Sequence, residues 1–199
     1  MERILVIDTE TTGLPADMNA PYTDTDNWPH MLSIAWVMYT AEGEQIRRQS
    51  FYIGPRPGVT NRAIHINGIT DEKLAEGSAA DIVLIELAME MNSADMIIAH
   101  NVEFDRNVIG AEFVRAGLSM PKRKWFCTKE DIGNLLNLPP SEAQRKYRPE
   151  VEYKQPRLDE LYQFLFGKPV PGRETHHGAE QDAAACAACY WELKKRSLI

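Results

Sequence analysis

The sequence predicts one α/β layer sandwich, and three observations support that prediction. Five short segments are predicted as strands, at residues 4–7, 31–39, 45–53, 96–99 and 124–128, and the most apolar of them are typical of buried strands. The first three strands follow one another as a meander, whereas the last two alternate with helical segments. The 199 residues provide one substantial core, and no repeat or linker divides them. We therefore expect a single domain over residues 1–199.

The turns and helices between these strands can be predicted in chain order. Residues 15–29 are polar and form a long loop, and Glu42, Gly43 and Glu44 form a hairpin turn. Ser78 is the expected N-cap of a helix that runs to about Met91. Further helices are predicted at residues 102–116, 129–138, 158–166 and 178–195. The helix at 102–116 is closed by Gly117, and the helix at 129–138 is stopped by Pro139 and Pro140.

The net charge restricts how the chain could bind nucleic acid. At −7, it argues against broad duplex binding through a basic face. Bound metal ions could still supply the positive charge where a phosphate binds.

The cysteines predict a reducing environment. Three cysteines form no disulfide framework, which favours the cytoplasm. Cys186 and Cys189 form a CxxC in an alanine-rich helix, where packed thiols are favoured over a zinc or redox site. No leader peptide and no membrane-spanning apolar run is present, so we expect a cytoplasmic protein without membrane contact.

Two acidic residues follow the first predicted strand directly. Asp8 and Glu10 are two positions apart, so their side chains share one face of the strand. Adjacent carboxylates repel each other unless a positive charge lies between them. A divalent metal ion is the simplest such charge.

Three further residues complete a set of metal ligands and a proton acceptor. Asp105 lies early in the second predicted helix, and His177 and Asp182 bracket the first turn of the last helix. Four carboxylates suit two Mg²⁺ ions, and a histidine that titrates near neutral pH suits proton transfer. Each acid alone could be an ordinary turn or helix residue. That interpretation would leave the ordered occurrence of all these residues along the chain unexplained.

These motifs resemble those of the DEDDh-type 3′–5′ exonucleases, the family of the proofreading epsilon subunit of bacterial replicative DNA polymerase. The family has DxE near the N-terminus, NxxxD in the middle and His-x4-Asp near the C-terminus. Here they correspond to Asp8 and Glu10, to Asn101 and Asp105, and to His177 and Asp182. Residues 64–72 are similar to the family's IHGIT-D segment. The resemblance implies a ribonuclease H-like fold, with a mixed five-stranded sheet and helices on both faces.

The resemblance also implies a role for each motif residue. Asp8, Glu10 and Asp182 would hold one Mg²⁺ or Mn²⁺ ion, and Asp105 would complete the site of a second ion. His177, and not its neighbour His176, would be the general base because only His177 gives the His-x4-Asp spacing. The remaining implied residues would bind the terminal nucleotide: Thr11, Thr12, Gly13, Leu14, Asn101 and Phe104.

The function implied is metal-dependent 3′–5′ hydrolysis of single-stranded or frayed DNA to nucleoside 5′-monophosphates. One alternative is an exoribonuclease of the same fold that trims RNA 3′ ends. Another is a non-catalytic module that grips 3′ ends and docks on a DNA polymerase. The implied partners are therefore single-stranded DNA or RNA 3′ ends and a possible polymerase.

One segment, residues 139–156, is basic and aromatic. It contains Arg145, Lys146, Arg148 and Lys154, with Tyr147 and Tyr153 between them. Such interleaving suits a single-stranded backbone and its bases. A solvated surface loop explains the composition equally well, and both interpretations remain open.

Overall fold

The computed structural model describes residues 2–55, 61–173 and 176–199. Five strands form one sheet in the order β3-β2-β1-β4-β5. Their bounds are β1 Arg3–Thr11, β2 Met31–Thr40, β3 Gln45–Tyr52, β4 Met96–Ala99 and β5 Lys124–Cys127. The pairs β1–β2 and β2–β3 are antiparallel, whereas β1–β4 and β4–β5 are parallel. This arrangement confirms the predicted mixed five-stranded sheet.

Seven helices accompany the sheet in the described part of the chain. They are α1 Asn61–Asn67, α2 Asp71–Ala75, α3 Ala80–Ser93, α4 Val102–Arg115, α5 Glu142–Tyr147, α6 Leu158–Phe166 and α7 Ala179–Lys195. No helix among the described residues is both long enough and apolar enough to cross a membrane.

The central strand β1 contributes side chains to two separate cores. Leu5 and Ile7 are fully buried in one apolar cluster with residues of α3 and α4. Ile4 and Val6 lie in a second cluster with residues of α6 and α7. Because successive side chains of a strand point to opposite faces, the two clusters cover opposite faces of the sheet. Helices therefore pack on both faces, as predicted.

Small side chains allow α7 to approach the sheet closely. Ala179 and Ala183 are buried against Ala35 of β2. Cys186 and Cys189 are buried free thiols within the second core, as expected for packing residues. This close packing brings the first turn of α7 beside the end of β1.

Some predicted elements were wrong. Residues 129–138 form successive turns and not a helix. Gly133 and Asn137 have positive φ angles of 58° and 48°, which an α-helix cannot accommodate. Ser78 does not cap α3, because the N-cap position is Ala79 and the Ser78 amide donates to the Tyr52 carbonyl. The sequence analysis also missed the short helices α1, α2 and α5.

Candidate active site

The end of β1 presents the first pair of acids. Asp8 and Glu10 continue the row of alternate side chains that begins with Ile4 and Val6. Asp8 pairs with Ala35 and Glu10 with Ser33, and the register shifts between Glu10 and Thr11. A register shift bends a strand and redirects the residues after it. The chain therefore turns away directly after the two carboxylates.

Three carboxylates converge at this point and are named here the acid cluster: Asp8, Glu10 and Asp182. One oxygen from each lies within 4.8 Å of the others. Asp182 comes from the first turn of α7 and its side chain is only 7% exposed. The cluster therefore joins a strand to a helix more than 170 residues later in the chain.

Asp105 approaches from α4, on the opposite face of the sheet from α7. One carboxylate oxygen, Oδ1, accepts from the Thr9 amide at 3.1 Å and from the Thr9 hydroxyl at 2.8 Å. Thr9 lies between Asp8 and Glu10 in β1, so its side chain points to the α4 face. Asp105 is outside the acid cluster but close enough to act electrostatically on Asp8. Sequence analysis did not identify Thr9 as the residue that holds this carboxylate.

Burial and mutual repulsion disfavour ionised carboxylates here. Burial raises the pKa of Asp8 well above its usual value, and the charges of Asp105 and Asp182 raise it further. Burial, with the charge of Asp182, raises the pKa of Glu10 to about 7. Burial likewise raises the pKa of Asp105 to about 7, although the bonds from Thr9 oppose that shift. The site thus favours protons or cations around its carboxylates.

The two adjacent histidines have different surroundings. His177 Nδ1 lies 3.6 Å from Asp182 Oδ2, and its side chain is half exposed. The His177 amide donates to the Ile66 carbonyl, which ties this loop to α1. The ring of His176 instead packs against Gly68, where an added Cβ would come within 2.9 Å of it. Only His177 therefore combines proximity to the acid cluster with access to solvent.

Arg173 also contacts the acid cluster, and sequence analysis missed it. Its Nη2 lies 2.9 Å from Asp182 Oδ2 and 2.5 Å from His177 Nδ1. Its side chain is 12% exposed, so this is a nearly buried ion pair. In the sequence, Arg173 stands out only by lying four residues before His177, and no periodic pattern marks that position.

The predicted nucleotide-binding residues fall into two groups. Thr11, Gly13, Leu14 and Phe104 line an apolar pocket of about 440 Å³ next to Glu10. Leu14 is 75% exposed at this pocket. Ile66 and Asn67 also line the pocket, although sequence analysis did not assign them to it.

Thr12 and Asn101 are placed differently. The Thr12 hydroxyl accepts from the His30 amide at 3.1 Å, which fixes the loop after β1. Asn101 has a left-handed backbone conformation before α4, and its Oδ1 accepts from Lys129 Nζ at 2.8 Å. Asn101 lines a second cavity, which borders Asp8 and Asp182 of the acid cluster.

That second cavity, named here the basic cleft, has a volume of about 810 Å³. Asp8, Asp182 and His177 form one end of its lining, and the 139–156 segment forms much of the rest. The basic side chains in the lining are Lys129, Arg148, Lys154, Arg157 and Arg173. The acid cluster is therefore bordered by an apolar pocket and by a positively charged cleft.

Comparison with known families identifies this arrangement. The model of the exonuclease family RNase_T matches residues 5–190, a span that contains every residue of the candidate site. The chain belongs to this exonuclease family. The resemblance inferred from the motifs is thereby confirmed, and so is the prediction of a nuclease.

Curated relatives of this chain include bacterial proteins named DNA polymerase III PolC-type and DNA polymerase III subunit epsilon. The chain is 27% identical over 190 residues to the DNA polymerase III PolC-type protein of Listeria innocua, which covers 96% of this chain and 11% of that protein. It is 28% identical over 137 residues to the DNA polymerase III subunit epsilon of Buchnera aphidicola, covering 69% and 52% respectively. The chain thus spans about a tenth of the length of the PolC-type relatives.

Solved structures of exonuclease I share the fold. The apo form has a TM-score of 0.72 and 18% identity, covering 100% of this chain and 43% of that chain. The zinc-bound complex of Escherichia coli exonuclease I with single-stranded DNA has a TM-score of 0.73 and 19% identity, covering 98% and 41%. This likeness confirms the ribonuclease H-like fold.

The exonuclease domain has side chains that fit a divalent cation. Exonucleases of this family depend on divalent metal ions. Carboxylate oxygens are the ligands that hard divalent cations prefer, and the acid cluster supplies three. Asp182 Oδ1 is buried and has no hydrogen-bond partner among the described residues, so it is free to act as a ligand.

Proposed function

We propose that the exonuclease domain removes nucleotides from the 3′ end of single-stranded or frayed DNA and releases nucleoside 5′-monophosphates. Two Mg²⁺ or Mn²⁺ ions would assist the reaction. The observation that carries this proposal is the convergence of Asp8, Glu10 and Asp182, with His177 3.6 Å from Asp182 and Asp105 nearby. Hydrolysis of a phosphodiester needs a proton acceptor and a cation, and this site supplies residues for both.

Each side chain has a distinct part in this reaction. Asp8, Glu10 and Asp182 would hold one ion, and Asp105 would hold the second with help from Asp8. The bound ions would lower the pKa of water and neutralise charge on the phosphate. His177, which is accessible to solvent, would accept the proton of the attacking water. Thr9 keeps the Asp105 carboxylate in place through its two hydrogen bonds.

The apolar pocket would receive the terminal nucleotide. Leu14 and Phe104 offer apolar contact to a base, and Thr11 and Gly13 offer backbone groups to the sugar. The Thr11 hydroxyl donates to the Gly13 carbonyl at 2.7 Å, which stabilises this loop. Because Glu10 lines this pocket, a terminal nucleotide seated there would place its 5′-phosphate at the acid cluster, and cleavage would release mononucleotides.

A role in DNA replication or repair is the corresponding biological proposal. Its support is the similarity to one protein named DNA polymerase III PolC-type and to another named a subunit, epsilon, of DNA polymerase III. A DNA polymerase is therefore the partner we propose. A cytoplasmic location is supported by the three free, buried cysteines.

A 5′-labelled oligonucleotide tests the proposal. With Mn²⁺ or Mg²⁺, the purified protein should produce a ladder that shortens from the 3′ end, and EDTA should stop the reaction. Asp8→Asn should reduce trimming to background because it removes a charged ligand from the acid cluster. Parallel DNA and RNA ladders would identify the preferred sugar.

The matched control is Glu103→Gln. Glu103 is an exposed acid on α4, two residues before Asp105, and it lies outside the acid cluster. This variant should trim like the unaltered protein. Undiminished trimming by Asp8→Asn would contradict the assigned site, and preference for RNA would favour the exoribonuclease alternative.

A further inference from the structure

The 139–156 segment lies beside the acid cluster, in a cavity that shares no lining residue with the apolar pocket. Its residues Arg148, Tyr153 and Lys154 line the basic cleft together with Asp8 and Asp182. The apolar pocket instead borders Glu10. A strand whose terminal nucleotide occupies the apolar pocket would therefore leave the site through the basic cleft.

Among the described residues, ion pairs or hydrogen bonds engage every basic side chain of the cleft except one. Lys129 donates to Asn101 Oδ1, and Arg173 pairs with Asp182. Lys154 contacts Glu160 at 2.5 Å, and Arg157 contacts Asp159 at 3.1 Å. Arg148 is exposed, and its guanidinium makes no ion pair or hydrogen bond within the described residues. An unpaired guanidinium in a cleft suits a phosphate, which it can bind with two parallel hydrogen bonds.

An aromatic side chain lies in the same cleft. Tyr153 is 38% exposed and lines it, whereas Tyr147 is 75% exposed and does not. Aromatic rings beside a basic groove provide a stacking surface for the bases of a single strand. Tyr153 and Arg148 together thus match the base and the phosphate of one nucleotide.

His100 holds this segment against the sheet. One ring nitrogen, Nδ1, lies 3.0 Å from the Thr128 hydroxyl, and the other, Nε2, lies 3.1 Å from the Pro156 carbonyl. Ser141 and Gln144 form a capping box at the start of α5, so the segment has local order of its own. The segment is therefore held at its C-terminal end by His100 and ordered locally near its N-terminal end, and it lines the same cavity as Asp8 and Asp182.

We infer that the basic cleft binds the nucleotides upstream of the scissile phosphate, with Arg148 on the strand's backbone and Tyr153 stacked on a base. The inference rests on the proposed function for the direction of the strand. The occupant is a single-stranded nucleic acid, since a stacking ring needs an unpaired base. In a chain of net charge −7, Arg148 supplies an unpaired positive charge to this cleft, where phosphates would pass.

Binding without hydrolysis tests the cleft directly. Fluorescence anisotropy would follow a 5′-labelled oligothymidylate of about 12 nucleotides in Ca²⁺, with an oligouridylate arm and a duplex arm. Arg148→Gln and Tyr153→Ala should each weaken binding of the single strand about tenfold. For Arg148→Gln alone, the slope of log affinity against log salt should become shallower by about 0.7.

The matched controls come from the same segment. Lys146→Gln and Tyr147→Ala remove a charge and a ring of the same kinds from residues that do not line the cleft. Both should bind the oligothymidylate like the unaltered protein. Equal losses in these controls, or no loss in Arg148→Gln and Tyr153→Ala, would overturn the inference.

A minimal substrate separates this inference from the proposed function. The p-nitrophenyl ester of thymidine 5′-monophosphate has no upstream nucleotide, so its hydrolysis should be unchanged in Arg148→Gln and Tyr153→Ala. A fall in its hydrolysis would place these residues in the catalytic site and overturn the inference. If the unaltered protein hydrolyses nothing with Mn²⁺ but the binding differences persist, the proposed function fails and the cleft stands.

Discussion

At the scale of single residues, position beside the acid cluster separates side chains of the same type. His176 and His177 are adjacent, yet one packs on Gly68 and the other lies beside Asp182. Arg157 and Arg173 both line the basic cleft, yet of these two only Arg173 contacts the cluster. Matched substitutions within each pair can therefore distinguish a role in the reaction from a role in packing.

The histidine pair gives the first residue-scale prediction. His177→Gln should lower the turnover number by about 10²–10⁴-fold, since it removes the proton acceptor but no carboxylate. His176→Gln should keep most of the activity. Single-turnover cleavage at saturating Mn²⁺ measures both. The opposite ranking would assign the base to His176.

Arg173 gives the second residue-scale prediction. Its guanidinium pairs with the Asp182 carboxylate, which is also a proposed metal ligand. Arg173 therefore competes with a bound cation for that carboxylate. Arg173→Gln should bind Mn²⁺ about tenfold more tightly and should melt at a lower temperature in EDTA. Calorimetric titration without nucleic acid measures the affinity.

The control for Arg173 is another arginine of the basic cleft. Arg157 pairs with Asp159 and does not contact the acid cluster, so Arg157→Gln removes the same charge from the same cleft. Its Mn²⁺ affinity should remain close to that of the unaltered protein. Weaker Mn²⁺ binding by Arg173→Gln would show instead that Arg173 organises the site.

At the scale of elements, apolar pattern and terminal residues explain what could be predicted. The apolar strands β1, β2 and β4 and the helix α4, with Gly117 after it, match their predicted positions to within a few residues. Their patterns reflect burial on the two faces of the sheet. Asp8 and Glu10 lie near the end of β1, and Asp105 and Asp182 lie in the first turns of α4 and α7, where their motifs placed them; their roles in the reaction stay a prediction.

Elements that depend on contacts with distant residues could not be predicted. Residues 129–138 have an apolar content that suits a helix, but Ile132 packs into the second core through turns. Arg173 and Thr9 act through side chains far away in the sequence, on Asp182 and Asp105. No local pattern marks a residue whose partner is set by the tertiary fold.

At the scale of the whole molecule, the buried acids oppose folding unless protons or metal ions accompany them. In the unfolded chain an aspartate has a pKa near 3.9 and a glutamate near 4.3. In the folded protein the pKa values of Asp105 and Glu10 are about 7. Between about pH 4 and pH 7 the folded state therefore binds more protons at these carboxyls than the unfolded state does. The stabilisation that comes from these bound protons is lost as the pH rises through about 7.

The resulting prediction concerns the metal-free protein. In EDTA, the melting temperature should fall as the pH rises from about 5 to about 7.5. The melting temperature of Asp105→Asn should fall less steeply, because asparagine has no carboxyl proton to lose. Burial lowers the pKa of His100 to about 4, so its contribution to stability increases as the pH rises. This contribution is the same in the unaltered protein and in Asp105→Asn. Parallel curves for the two proteins would contradict the raised pKa of Asp105.

Excess Mg²⁺ should reverse this trend. A cation that binds the deprotonated carboxylates stabilises only the folded state, and it does so more strongly as the pH rises. Differential scanning fluorimetry in EDTA and in millimolar Mg²⁺ measures both limits. A melting temperature that is equal in the two buffers at neutral pH would contradict metal binding at the acid cluster.

The two cores on opposite faces of β1 have a consequence for any screen of variants. Asp182 is held by α7 over one core, and Asp105 is held by α4 over the other. Loosening either core displaces one carboxylate from the shared end of the strand. Nuclease activity would therefore report on the integrity of both halves of the fold, and many inactive variants would carry their substitution far from any phosphate.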